Sequence, residues 1–222
     1  MDFDSNMFAR PTPRTMAIAL AWMVCCTAAL AADIPNRVVI QHGPLVIDHS
    51  QSIAQITQAQ AKGGFRSVLG ASHHAELGLG LFQNRMTSTL ESAAGPAKSL
   101  ALVTTIKTEP IIYVASEFPA DSCAYKVVLA HEYEHYRYDR DVLRALPAEV
   151  RGITWSVFAN PVPANQAEME RARKVFFQQF NHAYEGLSFP LHSRIDNPAA
   201  YAALAEMCKG EIKTRLGATG TQ

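Results

Sequence analysis

The chain has no surplus of either charge: 20 Lys and Arg stand against 20 Asp and Glu. With its basic residues scattered rather than clustered, it offers no electrostatic case for nucleic acid or an anionic membrane as partner. Cysteine is scarce, four in all with no CxxC pair, which argues against a cysteine-built metal site. There is no nucleophile elbow, phosphate loop or dinucleotide-binding glycine fingerprint, so three large enzyme classes lose their usual sequence support. Internal repeats and low-complexity tracts are missing too. No apolar run reaches the roughly 20 residues needed to cross a bilayer.

The longest apolar run is "MAIALAWMVCCTAALA" at 16–31, preceded by Arg10 and Arg14 and closing on Ala29-Leu30-Ala31. Basic region, apolar region and small-x-small site, in that order, predict a secretory signal peptide over 1–31. Asp2 and Asp4 suit such a segment poorly and make Met7 an alternative start. Retention of the run as an anchor is the alternative fate. Cleavage after Ala31 leaves 32–222, an exported, periplasmic or secreted chain with no stable membrane insertion. Only Cys123 and Cys208 then remain, and an even pair in an oxidising compartment predicts one disulfide. Closing so long a loop is worth roughly 4–5 kcal/mol by the chain-entropy estimate.

From 33 to 120 the pattern is strand-rich. "RVVIQH" (37–42) and "PLVI" (44–47) flank a Gly-Pro turn, and "QSIAQITQAQAK" (51–62) reads as a short helix. "FRSVLGA", "AELGLGLF", "MTSTL", "LALVTTIK" and "IIYVASEF" follow at hairpin-like spacing, predicting an antiparallel sheet. From Asp121 the period becomes helical, through 215. Asp121 or Ser122 caps a first helix that Pro147 stops; a second spans roughly 165–182. A third spans roughly 198–214, with Asp196 or Asn197 as cap and Pro198 in its first turn. The expectation is a single α+β domain over 32–222: an N-terminal antiparallel sheet, a long helix and two further C-terminal helices.

The first of these helices contains "VLAHEYEHYRYDRDVL" (127–142), with His131, Glu132 and His135 in the order H-E-x-x-H. Given eight His in 222 residues, chance supplies roughly 0.015 such matches. At about 100° per residue, His131 and His135 share a face with Ala124, Val127, Val128, Tyr138, Val142 and Ala145, so both point into the protein. Two imidazoles one turn apart can ligate one tetrahedral Zn²⁺. Glu132 then projects beside the metal, where it can take a proton from a water that the metal acidifies to a pKa of about 7. The competing assignment is a pair of hydrogen-bonded core histidines.

With these residues the chain resembles the zincins, zinc metallopeptidases built around an HExxH helix beside a sheet. "IIYVASEF" (111–118) fits the zincin edge strand that pairs with extended substrate. "IYVASEFPADSCAYKVVLAHEYEH" and "HSRIDNPAAYAALAEMC" are also similar to secreted proteobacterial proteins predicted to be HExxH peptidases. The resemblance covers roughly 105–210. The chain departs from zincin patterns in three ways. Glu134 is charged where many zincins are not. The metzincin extension is unmet, with Tyr138 at the glycine position and Asp141 at the third-ligand position. No thermolysin-like second-helix motif is recognisable.

The third protein ligand stays open on sequence. Asp196 returns to the site at the start of the last helix, a position that equally suits an ordinary N-cap. Glu168 is the runner-up, bordering the buried face of the second helix, and His192 is third. Asp139, one turn beyond His135, suits a residue that orients a ligand or pairs with a neighbouring Arg. Tyr201 and His182 are the candidates for stabilising an oxyanion. His42, His49 and the pair His73-His74 have no ligand spacing. The expected function is an exported zinc-dependent hydrolase that cleaves peptide bonds of a peptide or protein, peptidoglycan peptides included. Zn²⁺ would sit on His131, His135 and Asp196, with Glu132 catalytic. The alternative is a non-catalytic exported binding or assembly module of zincin fold, with structural zinc or none.

Overall fold

The computed structural model describes residues 35–62, 78–94, 100–159 and 161–219. The signal peptide expected at 1–31, the strand expected at 65–71 and His73-His74 lie outside the described residues.

The described chain is mixed α and β. Strands β1 (Asn36–His42) and β2 (Val46–Asp48) precede helix α1 (Ile53–Lys62). Two long strands follow, β3 (Gly80–Ala94) and β4 (Leu100–Val114). Helices α2 (Cys123–Phe158), α3 (Gln166–His192), α4 (Pro198–Glu206) and α5 (Glu211–Thr219) complete it.

β4 is the centre of the sheet. β3 pairs with it antiparallel from Gly80 opposite Val114 to Ala94 opposite Leu100. The expected all-antiparallel sheet is corrected on the other side, where β1 and β2 both run parallel to β4. Strand direction depends on the route of the connection, which local alternation does not encode. β1 pairs as far as Thr108 and β2 resumes at Ile111. Pro110 falls in that gap, so its missing N–H breaks no ladder there. β4 therefore runs through a proline that on sequence separates two strands. Its even residues, Leu102 to Val114, are buried throughout.

This pairing also corrects the role expected for 111–118. Residues 111–113 are paired on both sides, so they are no edge strand, and 115–118 have already left the sheet. Among the described residues, the strand next to the site that pairs on one side alone is β3.

Ser122 caps α2 by accepting from the Tyr125 N–H at 3.0 Å. The helix does not stop at Pro147 but continues to Phe158. An interior proline costs about 3 kcal/mol. Beyond it Val150 and Phe158 are fully buried, each worth about 1.5–3 kcal/mol, so packing outweighs the break. α3 likewise runs past 182 through Pro190 to His192. The single helix expected at 198–214 is interrupted at Cys208 and Lys209, both at φ 58°, and Gly210, at φ 77°. Three left-handed residues cannot continue a right-handed helix.

Two apolar clusters share α2 as a spine. One joins Ile53, Ile112, Val114, Phe118, Val128, Leu204 and Ile212. The other joins Leu102, Ile106, Leu143, Leu146, Val150, Phe158, Phe176 and Phe180. Between Val128 and Val142, the buried positions of α2 are Glu132, His135 and Asp139. The buried stripe is rotated slightly from the one expected: Ala145 is exposed, while Leu143 and Leu146 are buried. The disulfide Cys123–Cys208 is present and ties the start of α2 to the break between α4 and α5.

Candidate metal centre

α2 supplies His131 and His135 one turn apart, and the turn that ends α3 brings Asp196 back to them. That turn is closed by the Asp196 N–H donating to the His192 carbonyl at 3.0 Å. The ambiguity of the cap is resolved: Asn197 caps α4, its side chain accepting from the Ala200 N–H at 2.9 Å. Asp196 is thereby left to face α2.

Asp196 Oδ1 lies 3.0 Å from His135 Nε2 and 3.3 Å from His131 Nε2. The three donor atoms lie within 4.8 Å of one another. Ligands at about 2.0–2.1 Å from a tetrahedral ion stand about 3.3 Å apart. Two of the three separations are therefore already near those of a loaded site. His131 Nε2 is buried and, for all its closeness to Asp196, has no hydrogen-bond partner among the described residues. A buried orphan nitrogen carries a free-energy penalty that a cation would relieve. The group could hold a metal ion, and its two imidazoles and one carboxylate leave the ion's identity open among borderline divalent metals.

Around the group is a set of supporting contacts. Tyr201 Oη donates to Asp196 Oδ1 at 2.7 Å, and its ring lies 5.5 Å from that of His131. His192 meets His135 Nδ1 to Nδ1 at 2.6 Å with nearly coplanar rings. Asp139 accepts from Tyr184 Oη and from Asn84 Nδ2, both at 2.8 Å, which fastens α2 to α3 and β3. Tyr184 and Asn84, rather than an arginine, are its hydrogen-bond partners.

Glu132 is buried beside the histidines and accepts a hydrogen bond from the Phe82 N–H of β3. Gly80 makes this proximity possible. A Cβ there would stand 2.7 Å from Glu132 Oε1 and 2.8 Å from Val128 Cγ1. A small cleft reaches this end of the site, lined by Gln60, Leu79, Gly80, His131, Glu132 and Tyr201 among others.

The electrostatics follow from burial. Burial raises the Glu132 pKa despite the opposing pull of the two histidines. Burial alone would raise Asp196 as well, but the close contact with His131 and the hydrogen bond with His135 more than reverse it and hold the carboxyl well below its usual range. For His131, burial disfavours the cation; the contact with Asp196 and the charge of Glu132 outweigh it and raise the pKa. Burial, with His135 beside it, pushes His192 down to about 4, so it is neutral at pH 7.

The other sequence candidates lie elsewhere. Glu168 is engaged at the N-terminus of α3, accepting from the Ala164 N–H and the Asn165 side chain. His182 is exposed. His49 contacts the Ala115 carbonyl and His42 lies against Thr108. Glu134 pairs with Arg137 on the outer side of α2. Gly80 and Gln60 carry no ligand chemistry, and only the glycine-rich "LGLGLF" marked that strand as one that something approaches closely.

The chain matches no protein-family model, no curated protein and no solved structure.

Proposed function

We propose that the chain is an exported zinc-dependent hydrolase, a metallopeptidase of zincin type. The observation that carries the reading is the convergence of His131 Nε2, His135 Nε2 and Asp196 Oδ1, with the Glu132 carboxylate buried alongside. These three side chains would hold the zinc. Zinc in such a set supplies Lewis acidity and a water acidified to a pKa of about 7.

The remaining roles belong to the protein. Glu132 takes the proton from the attacking water and hands it to the leaving amine. Its burial suits it to the task, because a carboxylate with a raised pKa is a better base. With a metal held, neutral His192 would accept the His135 Nδ1–H and so keep the His135 Nε2 lone pair for the ion. Tyr201, whose pKa burial raises, stays a neutral donor and steadies Asp196. The substrate is an extended peptide entering by the cleft at Gly80.

Glu132→Gln tests the mechanism. The variant is expected to keep its metal and lose peptide hydrolysis by at least about a hundredfold, the scale of a general base. Retained hydrolysis in a metal-loaded Glu132→Gln protein rules the mechanism out. A metal-loaded wild-type chain that cleaves no peptide supports the binding-module alternative.

A further inference from the structure

Among the described residues no strand pairs with the side of β3 away from β4, and next to Glu132 that side carries two backbone groups. The Ala115 N–H donates to the Leu79 carbonyl at 2.9 Å, so odd-numbered residues at this end of β3 bond to β4. Even-numbered residues then turn their N–H and C=O outward. The Gly80 carbonyl and the Phe82 N–H form one rung of the kind an added strand would use, accepting from its N–H and donating to its C=O. Both positions are filled by side chains. Gln60 Nε2 donates to the Gly80 carbonyl at 3.0 Å, and Glu132 accepts from the Phe82 N–H. A side-chain amide and a carboxylate stand in for the two halves of a peptide backbone.

The two stand-ins differ in tenure. Glu132 belongs to the buried row of α2. Gln60 is only half-buried, and its Oε1 has no hydrogen-bond partner among the described residues. With Nε2 committed to Gly80, that oxygen forgoes water, a cost that vanishes when the side chain swings outward. α1 itself need not move. It packs so closely on the start of β3 that a Cβ on Gly78 would lie 2.4 Å from the Ile53 carbonyl, and both Ile53 and Ile56 are buried.

We infer that Gln60 is a displaceable placeholder, holding the Gly80 carbonyl until the backbone of an extended peptide takes its place. The incoming peptide N–H replaces Gln60 Nε2, and the freed Gln60 amide is hydrated at the mouth of the cleft. The choice of a peptide as occupant rests on the function proposed above.

The test is the Kd of a fluorescein-labelled mixture of unstructured decapeptides for the full-length chain in a Glu132→Gln background. That background prevents turnover and retains an acceptor for Phe82. Adding Gln60→Ala is expected to tighten binding about two- to tenfold, the fold-change of one net hydrogen bond no longer in competition. Unchanged affinity, including no binding by either protein, overturns the inference, since Gln60 then has only a structural part. Weaker binding also overturns it, since Gln60 then holds substrate itself. Circular dichroism checks the fold. If Gln60→Ala does not fold, Gln60→Glu, which cannot donate to Gly80, is read in the same way. Because no step depends on metal, a chain that fails to load zinc sinks the proposed hydrolase and leaves this measurement readable.

Discussion

Asp196 Oδ1 lies 3.0 Å from His135 Nε2, across 61 residues of sequence. The rest of α2, the connection to α3, α3 itself and the turn after it span that separation, and Asn197 takes the capping duty that would otherwise occupy Asp196. Removing the carboxylate by Asp196→Ala is therefore expected to weaken zinc binding far more than removing His192, which touches only the far nitrogen of His135. For His192→Ala the expected loss is about 10–100-fold, the usual cost of an outer partner. Competition with a chromophoric chelator measures both. Equal losses would show that His192 is itself a ligand.

Zinc affinity should rise with pH through the histidine range. The raised pKa of His131 in the metal-free chain means that a proton occupies the ligand nitrogen to a higher pH than in free histidine. The sign is fixed: below about 6.5 the proton competes fully, and the competition fades only as pH passes the raised value. Isothermal titration in buffers of different ionisation enthalpy should show proton release on binding at pH 7. Proton uptake would contradict the assignment.

Gly80→Ala should separate metal binding from activity. The added Cβ would crowd Glu132 Oε1 and Val128, and the carboxylate is the more movable neighbour. The variant is expected to keep its zinc stoichiometry and lose at least about tenfold in kcat as Glu132 leaves its working position. Loss of zinc with activity unchanged per bound metal would place the effect elsewhere.

Asp139 is expected to matter for stability. Asp139→Ala strands two part-buried donors, Tyr184 Oη and Asn84 Nδ2. The expected cost is about 2–4 kcal/mol, at roughly 1–3 kcal/mol per unmet group. Asp139→Asn keeps an acceptor and removes a buried charge whose pKa burial already raises, so it should cost less. Denaturant titrations of the two variants rank them, and the reverse order would contradict this account.

The sequence shows the helix bearing His131, Glu132 and His135 because its period, its cap at Ser122 and its motif agree. It shows Asp196 only as one of several candidates. A carboxylate beside an asparagine before Pro198 suits either a cap or a ligand, and only the path of the chain decides which residue turns inward. Ranking Glu168 ahead of His192 fails for the same reason: Glu168 is tied up at a helix start, while His192 lies against His135. Pro147 reads as a stop, and the second helix as ending near 182, because local propensity says nothing of the apolar surface waiting beyond them. The parallel pairing of β1 and β2 was illegible because alternation records burial but not partner or direction. Gln60 and Gly80 act through backbone contacts, which side-chain chemistry does not announce.

The most direct test is the metal content, by mass spectrometry, of the purified full-length chain and of His131→Ala. About one zinc per wild-type chain, lost in the variant, is the predicted result. A folded wild-type chain that takes up no zinc when zinc is supplied would contradict the account at its centre.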